Sequence, residues 1–236
     1  MPPDLRDAAS PGQVTADQIA GRKMSQESCP EPDRDPCQRI LYAPGRGRDL
    51  SVLAGFRKEL AACGHDLAIV PFAYDTGNFA PELLAETLPG GCPWWTGISL
   101  GAALLWTLAA EKGSGPGCPR RLTLINPFAD RERLSRERGF SLEGQWRFRP
   151  LDSAPAPEIL EVVIALGDRA ISPAHGLELL AASRARIRRL ITVQADHQIS
   201  DLRVQRSLAR MLSSPGGAGY ADAEHCDLYS WQGGVQ

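Results

Sequence analysis

Trp94-Trp95-Thr96-Gly97-Ile98-Ser99-Leu100-Gly101-Ala102-Ala103-Leu104-Leu105 is the stretch that decides the fold. A short apolar run leads into Gly97, and a longer one leaves Gly101 and reaches Ala110. Between them stands Gly-x-Ser-x-Gly. A serine at the tip of a sharp strand-to-helix turn needs a strained backbone, and its neighbours approach it closely. Glycine two before and two after removes the Cβ atoms that would collide. The helix that follows points its first N–H groups at the serine, where they stabilise a developing oxyanion. The motif is short, so its weight comes from the strand before it and the helix after it.

Outward from this turn, apolar strand-like runs alternate with amphipathic ones. Before it come a strand at Arg39–Pro44, a helix from an N-cap at Asp49 to about Cys63, and a strand at Asp66–Phe72. A short helix at Ala80–Leu88 follows. After the turn come strands at Arg121–Asn126, Leu160–Leu166 and Ile187–Val193, separated by helices at Asp130–Arg138 and Pro173–Ser183. A last helix covers Ser200–Leu212. Short continuous apolar strands alternating with helices predict a doubly wound, mostly parallel α/β sheet with helices on both faces. The catalytic domain is read as residues 38–213. Residues 1–37, rich in Pro, Asp, Ser and Gln, are read as a flexible or surface-packed segment, and 214–236 as a tail. The stretch 130–157 is long enough for a small lid at most, with Phe140, Trp146 and Phe148 as its apolar contacts.

Composition removes several classes of function. The chain has 236 residues, 43% hydrophobic and 23% charged, with a net charge of −2, so no global basicity points to nucleic acid or an anionic membrane. No apolar run is long enough to span a bilayer, and the N-terminus lacks a signal-peptide layout. The expected location is cytoplasmic. Six cysteines contain no C-x-x-C pair, and free thiols are expected.

In an open parallel sheet, ligands sit at the carboxyl ends of the strands. Those ends carry Gly45-Arg46, Ser99, Asn126, Asp168 and His197. A serine hydroxyl needs a base within hydrogen-bond reach, and the base needs a carboxylate to hold its tautomer. Ser99 follows one strand, Asp168 a later one and His197 the last, in the order expected of such a turn. The other histidines are placed differently: His65 precedes a strand, His175 lies inside a helix and His225 in the tail. Asp130 is the rival acid, and Asp168 could instead cap the helix at Pro173. Asp196 adjoins His197 too closely in sequence to reach its Nδ1. The backbone N–H of Leu100 and that of Arg46 are the candidate oxyanion donors. Leu50 stands where a dinucleotide fingerprint needs its third glycine, and no phosphate-loop lysine is present.

Through Ala43-Pro44-Gly45-Arg46-Gly47, Gly97-Ile98-Ser99-Leu100-Gly101, Leu166-Gly167-Asp168 and Asp196-His197, the chain resembles the α/β-hydrolase family over about residues 39–213. The resemblance implies the family's fold, an acyl-enzyme mechanism and the catalytic roles of Ser99, His197 and Asp168. The chain departs from the family in three places. The first antiparallel strands have no clear counterpart in residues 1–37. Ala43-Pro44 replaces the common His-Gly at the oxyanion loop. The region 130–157 is short for a cap.

The expected function is therefore a serine hydrolase acting on an ester or thioester, without cofactor or metal. Its partner would be a small-molecule or carrier-bound acyl substrate, not nucleic acid or a membrane. Arg46 and Arg48 flank the oxyanion loop and are expected to favour an anionic acyl group, and Trp146 and Phe148 to contact substrate. An acyltransferase or cyclising thioesterase would use the same residues with another acceptor. A non-catalytic binding protein on the same fold is the alternative from a different class.

Overall fold

Seven strands form one sheet in the order β2-β1-β3-β4-β5-β6-β7. The structure, a computed structural model, describes residues 38–45, 50–70, 92–113, 117–139, 150–152, 154–214 and 226–232. All of these belong to the unit Asp35–Gln236. The strands are β1 (Gln38–Ala43), β2 (His65–Ile69), β3 (Trp94–Ile98), β4 (Arg121–Ile125), β5 (Ile159–Ala165), β6 (Ile187–Val193) and β7 (Cys226–Gln232). The first six are parallel, and β7 runs antiparallel to β6. Every residue of β3 is buried, as a central strand covered on both faces requires.

The helices are α1 (Ala54–Ala62), α2 (Leu100–Lys112), α3 (Arg131–Arg138), α4 (Pro173–Ala182) and α5 (Leu202–Ser213). They split between the two faces. Phe56 and Leu60 of α1 and Val204, Leu208, Met211 and Leu212 of α5 pack with Ile40, Tyr42, Trp94, Ile98 and Ile125. On the other face α2, with Leu134 of α3 and Leu179 and Leu180 of α4, packs on Leu41, Trp95, Leu122, Leu124 and Val162. The run Leu100–Ala109 is buried throughout, which explains its apolar character on every side. Each fully buried Leu or Ile in these layers contributes roughly 1.5–3 kcal/mol. The predicted doubly wound α/β architecture is the one observed.

Two elements differ from the sequence reading. The helix placed from Asp49 begins as a 3₁₀ turn, Leu50–Leu53, and becomes α-helical only at Ala54. Such turns commonly open helices. Asp49 lies outside the described residues, as does the Ala80–Leu88 helix. The sheet also does not end at β6. Cys226–Gln232 pairs with it from Val193↔Cys226 to Ile187↔Gln232. Half-buried Cys226 and Leu228 alternate with exposed Asp227 and Tyr229. This is the period-two pattern of an edge strand covered on one face, and its polar members interrupt any apolar run.

The sheet contains a sealed charge network towards the amino ends of its strands. Glu161 of β5 is 1% exposed. It accepts from Arg121 Nε and Nη2 at 2.9 and 2.7 Å, from Thr123 Oγ1 at 2.7 Å and from Arg189 Nη1 at 3.1 Å. Burial opposes its ionisation, but Arg121, Thr123 and Arg189 outweigh that and hold the carboxyl below its usual range. Arg121 stacks on Trp94 at 3.9 Å, and the Trp94 indole donates to Thr123 Oγ1 at 2.9 Å. His65 meets the same indole edge-on at 5.4 Å.

Candidate active site

The Gly97–Gly101 turn sits where β3 becomes α2. Ser99 has φ 54° and ψ −116°, a left-handed conformation that costs of order 1–3 kcal/mol for a non-glycine residue. The surroundings impose it. A Cβ on Gly97 would lie 2.8 Å from the Gly101 carbonyl, and one on Gly101 would overlap the Ala43 carbonyl oxygen. Both glycines are therefore demanded by close backbone approach. The Gly101 contact also fixes the end of β1, and with it the start of the Gly45 loop, beside Ser99. A Cβ on Gly45 would stand 3.3 Å from Ser99 Cβ. Leu100 is the first residue of α2, so its N–H belongs to the turn in which a helix has no acceptor of its own.

Asp168 and His197 meet at the same end of the sheet. His197 Nδ1 lies 2.7 Å from Asp168 Oδ2. The Asp168 side chain is 2% exposed and that of His197 is 20% exposed, so the acid is sealed while the imidazole keeps an open edge. The other oxygen, Oδ1, accepts from the N–H groups of Ala170 and Ile171. Two backbone donors thus orient one carboxylate, and its second oxygen is left for His197.

The alternatives weighed in the sequence occupy other positions. Ser172 caps α4, accepting from Ala174 N–H at 3.4 Å, so Asp168 does not do so. Asp130 caps α3, accepting from Arg133 N–H at 2.8 Å, and that bond is the main reason its carboxyl stays below the usual range. Asp196 bonds Ser200 rather than the adjacent His197 ring. Burial works against its ionisation, and the donors from Ser200, Gln198 and Ile199 prevail. His175 is fully buried. Its Nδ1 accepts from Ala129 N–H at 3.1 Å and its Nε2 faces Glu137 Oε2 at 3.3 Å. His65 starts β2, at the opposite end of the sheet. Arg46, Arg48, Phe140, Trp146, Phe148 and His225 lie outside the described residues.

Two buried amides tie these strand ends together, and the sequence reading gave neither a role. Asn126, directly after β4, has φ 45° and is 4% exposed. Its Nδ2 donates to the His197 carbonyl at 2.9 Å, and its Oδ1 accepts from Ala165 N–H at 2.8 Å. One residue earlier, the Ile125 carbonyl accepts from Ser99 N–H at 2.8 Å. Gln205 of α5 is 2% exposed. Its Nε2 donates to the Ile199 carbonyl at 2.8 Å, and its Oε1 accepts from Phe56 N–H in the first turn of α1 at 3.1 Å. Asn126 is already placed at a strand end by the sequence, where Asn-Pro marks a turn, but nothing there names its partners. Gln205 carries no such signal.

Among the described residues no three His, Cys, Asp or Glu side chains are grouped to hold a metal ion, and no helix is long and apolar enough to cross a membrane. The described cysteines, Cys63, Cys92, Cys118 and Cys226, are free thiols.

No protein-family model and no curated protein matches the chain. Solved structures do. An esterase domain from a Rhodothermus marinus protein is similar with a TM-score of 0.59 at 16% identity, over 82% of this chain and 89% of that one. The enol-lactonase from Burkholderia xenovorans LB400 gives 0.53 at 16% identity, over 78% and 94%. RedJ, a thioesterase from the prodiginine biosynthetic pathway of Streptomyces coelicolor, gives 0.52 at 16% identity, over 87% and 98%. Likeness at this identity is likeness of fold. With its parallel sheet and its strained serine turn between β3 and α2, the chain has the α/β-hydrolase fold.

Proposed function

We propose that the protein is a serine hydrolase that cleaves an ester or thioester through an acyl-enzyme. The observation that carries this reading is the Asp168–His197 hydrogen bond, formed at the sheet end where Ser99 tops its strained turn. The similar solved structures, an esterase domain, an enol-lactonase and a thioesterase, support the reaction class.

In this mechanism Ser99 Oγ attacks the acyl carbon while His197 Nε2 takes its proton. Asp168 holds the Nδ1 proton and stabilises the imidazolium that forms. The Leu100 N–H stabilises the oxyanion, and Arg46 is assigned the second N–H from its place in the sequence. His197 then returns the proton to the leaving alcohol or thiol. It next activates water, which attacks the acyl-enzyme, releases the acid and restores Ser99.

A fluorophosphonate probe tests the assignment. Covalent labelling at Ser99, lost in Ser99→Ala and strongly slowed in His197→Ala, is the expected result. A panel of acyl esters and thioesters then defines the substrate. Labelling elsewhere, or none with the protein folded, overturns the reading.

A further inference from the structure

We propose that Asn126 and Gln205 are positioning residues that together hold the His197 loop in register with the rest of the catalytic machinery. His197 lies between β6 and α5, in a segment without regular backbone pairing. Such a segment does not fix an imidazole by itself. It also contains Ile199 with φ 49°, a conformation that a β-branched residue rarely adopts. A strained loop persists only where its surroundings over-determine it. Here two side chains from other elements do so. Asn126 donates to the carbonyl of His197, and Gln205 donates to the carbonyl of Ile199.

What each amide does with its oxygen gives the arrangement its meaning. Asn126 Oδ1 takes the N–H of Ala165, the last residue of β5, from which the chain runs on to Asp168. Asn126 thus binds the acid-bearing and base-bearing segments to one side chain. Gln205 Oε1 takes the N–H of Phe56, in the first turn of α1. Gln205 thus links the histidine loop to α1. In both cases an amide is the side chain that fits, because it offers a donor and an acceptor at fixed geometry. A carboxylate of the same shape keeps the acceptor and loses the donor. Both groups are buried, so a lost partner is not replaced cheaply by water.

The rate arm of the test rests on the hydrolase reading, and the spectroscopic arm does not. Asn126→Asp and Gln205→Glu retain volume and the acceptor while removing the donor to the loop. Thr123→Val serves as the control: it breaks the buried hydrogen bonds from β4 to Trp94 of β3 and Glu161 of β5 without touching the loop. The ring nitrogens of His197 are observed by long-range ¹H–¹⁵N NMR at neutral pH and assigned by their loss in His197→Gln. The wild type is expected to hold the proton on Nδ1, facing Asp168. Both amide variants are expected to show a mixture of tautomers, and Thr123→Val the wild-type pattern. On an acyl ester, kcat should fall about 10- to 100-fold with KM little changed, as for a misplaced catalytic group. If either carboxylate variant fails to fold, Asn126→Ala and Gln205→Met remove both bonds without adding charge and carry the same test. An unchanged tautomer in folded amide variants overturns the proposal. So does a loss of kcat no larger than that of Thr123→Val. A wild type that hydrolyses neither ester nor thioester overturns the hydrolase reading alone, and the tautomer still decides the positioning roles.

Discussion

Two carboxylates belong to the same strand and its exit, and they differ in their partners. Glu161, near the amino end of β5, is enclosed by Arg121, Arg189 and Thr123. Asp168, just past the carboxyl end, is enclosed by two backbone N–H groups and His197. Both acids are nearly inaccessible. Guanidinium groups keep their charge at every accessible pH, so the Glu161 network is electrically closed and has no proton to move. An imidazole can donate or accept through either ring nitrogen, so the Asp168–His197 pair has the chemistry to pass a proton on. The partner, rather than burial, separates a carboxylate that holds a sheet together from one that can serve chemistry. Position follows the same division, since parallel strands gather their ligand-facing turns at the carboxyl ends.

The largest expected effects break the open side of this comparison. Ser99→Ala or His197→Ala should lower kcat by about 10⁴- to 10⁶-fold, with the double variant little worse than either, because the members act as a unit. Asp168→Asn should lower kcat by about 10⁴-fold through the wrong His197 tautomer. Purely additive losses in steady-state kinetics would contradict the assignment. Next comes the closed side. Glu161→Gln leaves the half-buried Arg121 and Arg189 guanidinium groups without their buried counter-charge, and should cost about 3–5 kcal/mol in denaturant unfolding while the folded fraction keeps near wild-type kcat. An equal effect on kcat would show that the two regions are coupled.

A smaller effect is expected at the rim of the closed network. Trp94→Phe removes the indole donor to Thr123 and weakens the stacking under Arg121, and should cost about 1–2 kcal/mol. The smallest concerns His175, whose partners resemble those of neither acid. Burial, aided by the Arg133 charge, pushes its pKa below the ordinary 6.5, against the opposing pull of Glu137 and Glu178. The unfolded chain then binds more protons than the folded one below pH 6.5. Its contribution to stability is present above that pH and is lost as pH falls through 6.5 towards the lower folded value. His175→Gln should flatten this part of the curve of Tm against pH. An unchanged acid limb would exclude His175 as its source.

Sequence alone determined the features that depend on local sterics and on order along the chain. Glycines two residues either side of Ser99 announce a turn too tight for any Cβ, and Ala43 and Ala102 do crowd those positions. Apolar runs alternating with helices announce a parallel sheet, and the order Ser99, Asp168, His197 follows from which strand each residue ends. Tertiary structure decided what depends on register between distant segments. Glu161 faces Thr123 and Arg189 only because β4, β5 and β6 align as they do. Gln205 reaches Phe56 across 149 positions of sequence. β7 became a strand because β6 offered an unpaired edge, which its mixed sequence does not reveal. Asn126 and Gln205 belong to the same class: a side-chain amide looks alike on any surface, and only the folded backbone supplies the carbonyl and the N–H that give it a task.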